Sequence, residues 1–397
     1  MISLDEAREY VLAGCVPLSV VDVTLADALG CVAAERVVAR EPLPPFANTA
    51  MDGYAVRASD TVGAPVELDV IGFLGAGGAF DGEVGRGQAL RIMTGAPMPA
   101  GADAVVMVER TSTVGSRVRI EVAVDAGTAV RPAGDDLQPG DPVVEVGTAL
   151  TPAHLGLLAT VGRSTVSVVR RPRVGVLSTG DELVDGDAPL AAGQIRDSNR
   201  PTLLALCRQA GFETVDLGTA RDDEATITSA IEGAVATCDA LVTSGGVSMG
   251  DLDYVKVVLD RIGDMRWMQV AIKPAKPLAF GTVGSVPVFG LPGNPVSSAV
   301  SFELFARPGI RKLAGHTDLV RPAVRAVAGE DLARRPDGRV EFRRVVASVE
   351  DGRYVVRSAG GQGSHQLAAL AAANALAVLP DAEGVKRGGD VEVLLLG

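Results

Sequence analysis

The sequence predicts a multidomain α/β protein: a central doubly wound parallel α/β domain accompanied by a helical and extended N-terminal domain, an inserted small β domain and a C-terminal β domain. Three observations carry this expectation. Strand-like and helical apolar patterns alternate over residues 173–315, short apolar runs separated by glycine-rich turns fill residues 60–146, and β signals return after His316. Alternating strands and helices require right-handed crossovers and a parallel sheet covered by helices. Short strands between turns, with no long helical period, read as a small all-β unit.

The composition sets bounds. At 397 residues the chain has room for several domains, and 47% hydrophobic with 4% aromatic residues gives cores that are mainly aliphatic. The net charge of −12 argues against non-specific binding to nucleic acid or an anionic membrane, while a local basic pocket for a phosphorylated ligand remains compatible with it. Cys15, Cys31, Cys207 and Cys238 form no CxxC pair, so buried thiols in a reducing compartment are expected in place of a zinc ribbon or a disulfide framework. The start shows no basic-then-apolar leader, and no apolar run reaches membrane-spanning length, which makes the cytoplasm the expected location. His154, His316 and His365 lie far apart and leave little material for a histidine metal centre or a catalytic triad.

Taken in order, Ser3 and Glu6 have capping-box spacing, and Ala7, Tyr10 and Val11 give the following helix an apolar face. A short helical pattern at 25–29 precedes a β-rich run at 31–39. The segment 41–56 carries prolines that forbid a helix and a polar, turn-like stretch at 48–53. It reads as a rigid polar loop, either a site element or a linker closed by Asp52-Gly53. Strands are predicted at 66–72, 89–93, 104–109 and 118–124, with Thr94 in a Gly/Pro turn and Asp136 in an acidic one. Helical character returns at 151–158, so the β unit reads as an insertion between two halves that meet in space.

Across the alternating region, strands are predicted at 174–177, 215–217, 240–243, 265–270 and 286–289, and helices at 201–209, 223–236, 254–262 and 296–313. Ligands of such sheets sit beyond the carboxyl ends of the strands. Polar clusters fall at all five: Ser178-Thr179-Gly180-Asp181-Glu182, then Arg221-Asp222-Asp223, then 244–253, then 272–277 with Lys273 and Lys276, and finally 290–295 with Pro292, Gly293, Asn294 and Pro295, followed by Ser297. A structural accident would scatter them over both ends, so a pocket is expected here.

The third cluster is the most informative. An apolar strand breaks into Ser244, Gly245, Gly246, Ser248 and Gly250 and resumes as a helix, the arrangement of an anion-binding turn facing a helix N-terminus. Asp251 and Asp253 would repel an anion unless they cap the helix or hold a cation that bridges to phosphate. This reads as a phosphate and Mg²⁺ site, the alternative being a glycine turn with two capping aspartates. Asp251 stands where the lysine of a P-loop belongs, and no GxGxxG follows a strand. After residue 316, strands are predicted at 339–349, 354–357, 375–379 and 391–396, with a glycine turn at 360–365 before a short alanine-rich helix.

Together these motifs resemble the MoeA family of molybdopterin molybdenumtransferases, whose relatives include the gephyrin E domain. The resemblance spans essentially the whole chain and rests on seven blocks in order: PPFANTAMDGYAV (44–56), RIMTGAPMPAGADAVVMVE (91–109), STGDEL (178–183), SGGVSMGDLDYVK (244–256), IKPAKP (272–277), GLPGNPVS (290–297) and GQGSH (361–365). It implies an elongated four-domain homodimer with a MogA-like, molybdopterin-binding third domain and a β-barrel-like fourth. The implied division is 1–50 with 140–170, 51–139, 171–318 and 319–397. The implied enzyme hydrolyses adenylylated molybdopterin in a Mg²⁺-dependent step, releases AMP and inserts molybdenum from molybdate into the dithiolene.

Carried over position by position, the resemblance implies catalytic roles for Asp52, Thr94, Glu182, Asp222, Asp253 and Lys273, and metal ligation by Glu182, Asp253 and Asp136. Substrate binding is expected from Ser178, Thr179, Gly180, Ser244, Gly245, Gly246, Ser248, Gly250, Lys276, Pro292, Gly293, Asn294, Pro295, Ser297 and Ser364. Two departures stand out: Gln269 lies where some members have lysine, and Ala275 replaces a frequent glycine between the two lysines. The family further implies an active site shared between subunits and contact with the molybdopterin adenylyltransferase. Adenylyl transfer to molybdopterin and a scaffold role are the alternative functions: adenylate hydrolysis separates the scaffold from the enzyme, and adenylyl transfer would require use of a nucleotide triphosphate.

Overall fold

The computed structural model describes residues 1–246 and 254–396. Its centre is a six-stranded sheet of β1 (Arg173–Thr179), β2 (Glu213–Ala220), β3 (Ala240–Ser244), β4 (Asp264–Gln269), β5 (Pro277–Val283) and β6 (Val286–Leu291), in the order β2-β1-β3-β6-β5-β4. β1 runs parallel to β2 and β3, and β3 parallel to β6. Alternation decides which face each side chain joins. Val174, Val176, Ala240, Val242, Phe289 and Leu291 pack on one side with Leu203, Leu204 and Cys207 of the helix Asn199–Gln209. Leu177, Leu241 and Val288 pack on the other with Ile227, Ile231, Val255, Val258 and Leu259. Each fully buried aliphatic side chain of this kind stabilises by about 1.5–3 kcal/mol.

The sheet corrects the expectation of an all-parallel arrangement. β5, absent from the predicted strands, runs antiparallel to both β6 and β4. Gly284-Ser285 joins β5 to β6, with Gly284 at φ +61°, the glycine-first two-residue turn that suits a twisted hairpin. Because β5 is reversed, the five anticipated strands still point the same way, and their carboxyl ends share one edge.

Residues on both sides of the insertion share a core. Val20–Thr24 and Val32–Ala33 flank Thr165–Val169 in an antiparallel sheet, and Cys31, Val37, Val143, Leu158 and Val166 pack together. The helical pattern at 25–29 forms turns instead. The Thr24 hydroxyl donates to Asp27 Oδ2 at 2.7 Å, a local side-chain bond that competes with helix formation. The helix Leu4–Ala13 begins at Ser3, whose Oγ accepts the Glu6 N–H. It buries Ala7 and Val11 in the central core and sets Tyr10 edge-on to Phe280.

The inserted sheet has six strands, among them Gly53–Val56, Gln88–Ile92 and an unanticipated Thr111–Val114. The C-terminal unit closes on itself: Val340–Glu350, Arg353–Ser358, Ala323–Ala328, Asp390–Leu395 and Ala375–Leu379 pair in turn, and the last returns to the first. Ala323–Ala328 was not among the predicted strands, yet the barrel cannot close without it. Among the described residues, no helix is long and apolar enough to cross a membrane.

Candidate functional site

The carboxyl edge of the central sheet is lined by hydroxyls in place of aliphatic side chains. Ser178, Thr179, Thr243, Ser244 and Ser297 are all buried. Three polar atoms of this region, Ser178 Oγ, Thr243 Oγ1 and Asn199 Oδ1, are buried without a hydrogen-bond partner. Leaving such an atom unpaired costs about 1–3 kcal/mol, so their grouping at this edge makes it the candidate binding site.

Glycines let the loops converge there. Gly245 (φ +95°) and Gly246 (φ +69°) occupy left-handed backbone, and the Gly245 N–H donates to Leu291 O at 3.1 Å. A Cβ on Gly245 would lie 3.0 Å from the Thr179 carbonyl oxygen, and one on Gly293 3.8 Å from Gly245 Cα. The turn after β3 therefore lies between the loops after β1 and β6. Ser248, Gly250 and Asp253 lie outside the described residues.

Acidic groups collect beside this turn. The Asp181 and Asp222 N–H groups each donate to the other residue's carboxylate, at 3.4 and 3.3 Å. Desolvation, reinforced by the charges of Asp181 and Glu182, raises the Asp222 carboxyl above its ordinary range. Glu182 folds back over Gly180, where an added Cβ would sit 2.5 Å from Glu182 Oε2. Asp223, in contrast, caps the next helix by accepting the Thr226 N–H at 2.8 Å. Oxygen donors at a negatively charged strand end suit a hard divalent cation. Among the described residues, no cluster of three or more acidic, histidine or cysteine side chains is close enough to hold one.

Lys273 and Lys276 sit on the connection from β4 to β5. Its backbone is fixed: Ile272 and Lys273 pair with Val340 and Glu341 of the barrel, Val270 N–H donates to Lys276 O at 2.7 Å, and Pro274 and Ala275 are buried. The lysine side chains themselves are exposed, and the Lys273 charge reaches Asp337, whose carboxyl is lowered mainly by Arg339. Ala275 has φ +77°, a left-handed conformation that explains why glycine suits this position. On the next loop, Asn294 precedes the helix Pro295–Ser301 without capping it through its side chain. The Val296 N–H donates to the Ser364 carbonyl at 3.0 Å, bringing the C-terminal glycine turn to the same edge.

Asp52 and Thr94 come together elsewhere, on the inserted sheet. One Asp52 oxygen accepts both the Thr94 N–H and its hydroxyl, and these bonds lower the Asp52 carboxyl below its ordinary range. Asp136 lines a separate cleft of about 520 Å³ with Asn48 and Arg131. Among the described residues, no hydrogen bond or strand pairing joins residues 40–146 to residues 173–396.

Residues 2–162 match the MoeA N-terminal region (domain I and II), residues 175–312 a probable molybdopterin binding domain and residues 325–396 the MoeA C-terminal region (domain IV). The molybdopterin molybdenumtransferase of Haemophilus influenzae is 39% identical over 98% of this chain and 97% of its own length. Molybdopterin molybdenumtransferase 2 of Mycobacterium tuberculosis is 40% identical over 96% of each. The chain belongs to the molybdopterin molybdenumtransferase (MoeA) family. A molybdopterin biosynthesis MoeA protein from Pyrococcus horikoshii superposes with a TM-score of 0.82 at 30% identity, covering 100% of both chains.

Within this MoeA chain the structure adds two residues that the sequence did not single out. Arg344 is 1% exposed and donates to the carbonyls of Gly361 and Gly363 at 2.9 and 3.1 Å, holding the turn that carries Ser364. A lone arginine within a strand pattern gives no such signal. Asn199 opens the helix Asn199–Gln209, and its side chain donates to Ser244 Oγ at 2.7 Å and to Gly293 O at 2.6 Å.

Proposed function

We propose that this protein is a molybdopterin molybdenumtransferase of molybdenum cofactor biosynthesis, acting on adenylylated molybdopterin and molybdate and releasing AMP. The observation that carries the proposal is the hydroxyl- and glycine-lined turn after β3, set beside Asp181, Glu182 and Asp222 on one edge of the sheet. Ser178, Thr179, Ser244 and the amides near Gly245 and Gly246 hold and orient the substrate phosphates. Lys273, Lys276 and Ser297 supply charge and hydrogen bonds to the molybdate dianion. Glu182 and Asp253 are the proposed holders of Mg²⁺, joined by Asp136 of the other protomer in the dimer proposed below, and the ion would offset charge on the phosphoryl oxygens when bound.

The same proposal includes a homodimer in which the Asp52 and Thr94 loops of one protomer cover the sheet edge of the other. Support comes from the lack of described hydrogen bonds between these regions within one chain and from Phe46 and Met51, large apolar side chains near Asp52 that are 48% and 47% exposed. Four buried, unpaired cysteines suit a reducing cytoplasm, where the molybdopterin adenylyltransferase would deliver the substrate. The test is incubation of the purified chain with adenylylated molybdopterin, Mg²⁺ and molybdate. AMP release together with molybdenum insertion is expected, and ATP in place of the adenylylated substrate should give neither. Absence of AMP release in the presence of Mg²⁺ overturns the proposal.

A further inference from the structure

Asn199 touches both loops that form the phosphate side of the site, and its own position is fixed from behind. Asp197, with a side chain 1% exposed, accepts the backbone N–H groups of Asn199 and Arg200 at 3.0 and 3.1 Å. Arg200 in turn donates to Asp197 Oδ2 at 3.1 Å and to both oxygens of Asp216 at 2.7 Å, and it pairs with Asp185. Asparagine at a helix start commonly caps through its side-chain oxygen. Here Asp197 meets the helix-start N–H groups, and Asn199 Oδ1 has no partner. The side-chain amide is turned instead toward Ser244 and Gly293, residues 45 and 94 positions away, the first the last residue of β3 and the second on the turn after β6.

We infer that Asn199 is a positioning residue: it clamps the glycine turn after β3 to the loop after β6 and so sets where the substrate phosphates lie. The inference rests on the proposed transferase reaction. Its two bonds end on Ser244, beside Gly245, and on Gly293, which packs against Gly245. Loss of the amide lets these loops separate, and a displacement of about 1 Å at a reacting group lowers turnover by roughly 10²-fold. Lys273 and Lys276 are on the β4–β5 connection, and none of the described Asn199 hydrogen bonds reaches it.

The test uses the full chain with Asn199→Ala, Asn199→Asp and, as a control, Asn374→Ala. Asn374 brackets the N–H and carbonyl of Ala347 in the barrel at 2.7 and 2.9 Å and so reports a purely structural asparagine. Asn199→Ala is expected to lower kcat for AMP release about 10- to 100-fold while the KM for molybdate stays within about twofold. Asn199→Asp is expected to be no better, because a carboxylate would face the Gly293 carbonyl. Asn374→Ala should lower the thermal midpoint without changing kcat. Amide hydrogen exchange across residues 241–246 and 290–296 should quicken in Asn199→Ala and not in the control. Unchanged exchange in Asn199→Ala overturns the clamp whether or not the chain turns over, and an unchanged kcat, or a molybdate KM that rises in parallel, overturns its positioning role. If the unsubstituted chain releases no AMP, the transferase reading fails and takes the catalytic role of Asn199 with it, while the exchange result still decides the clamp.

Discussion

Thr94 gives both its backbone N–H and its hydroxyl to one oxygen of Asp52, at 2.7 and 2.6 Å. Two donors to the ionised form hold the carboxyl below its ordinary range. The folded-state pKa is therefore lower than the unfolded value of about 3.9. The associated stabilisation is complete above that value and is lost as pH falls through the lowered one. Thr94→Ala removes the hydroxyl donor and leaves the N–H, so the Asp52 titration followed by carboxyl NMR should move upward, partway to the ordinary value. An unmoved midpoint would show that the hydroxyl does not act on Asp52 in solution.

Asp222 is perturbed in the opposite direction, which sets stability against chemistry. Asp222→Asn removes a carboxylate that repels Asp181 and Glu182. Without Mg²⁺ the thermal midpoint at neutral pH should rise, on the order of 1 °C for a chain of this size, while AMP release falls about tenfold or more. A lower midpoint would mean that the acidic edge is not under repulsion in the free protein.

Ala275 tests how glycine-like the lysine loop must be. Its left-handed backbone costs roughly 1–2 kcal/mol for a residue with a Cβ. Replacement by glycine relieves that strain but forfeits a buried methyl, about 0.8 kcal/mol, and adds about 0.5–1 kcal/mol of chain entropy. The terms nearly cancel, so urea unfolding of Ala275→Gly should fall within about 0.5 kcal/mol of the parent. Ala275→Val keeps the strain and adds a branched side chain, with an expected loss on the order of 2 kcal/mol. Equal stability of the valine variant would contradict the φ of +77°.

The proposed dimer makes a prediction that no single-chain site shares. An Asp52→Ala chain mixed with a Glu182→Ala chain should form heterodimers with one site that retains both carboxylates and one that lacks both. About half of the unsubstituted rate per heterodimer is expected after subunit exchange. No recovery despite mass-spectrometric proof of heterodimers would place both residues in the same protomer's site.

The central fold was legible because the strand ends announce themselves: runs such as Ala240–Ser244 are apolar up to a glycine and a hydroxyl, and period and punctuation agree. β5 was missed because 272–277 read as a polar cluster and absorbed its start, although Gly284-Ser285 carried a hairpin signal. The pairing of Asp52 with Thr94 could not be deduced from either loop alone, since 42 positions separate them. Asn199 was hidden for the same reason. Ser198-Asn199-Arg200-Pro201 looks like the start of a helix, and only the folded chain shows two distant loops meeting its amide.

The pairing of Ile272 and Lys273 with Val340 and Glu341 bears on how such a chain can be cut or recombined. A boundary drawn after the last central helix would sever the barrel from the β4–β5 connection it braces, leaving a lysine-bearing segment without its pairing to Val340 and Glu341. Lys273, proposed above to bind the molybdate dianion, is thus held jointly by two units that look separable in sequence. Grafting the central unit onto another scaffold would carry Gly245 and Gly246 with both neighbouring loops but leave the Lys273 segment without its partner strand.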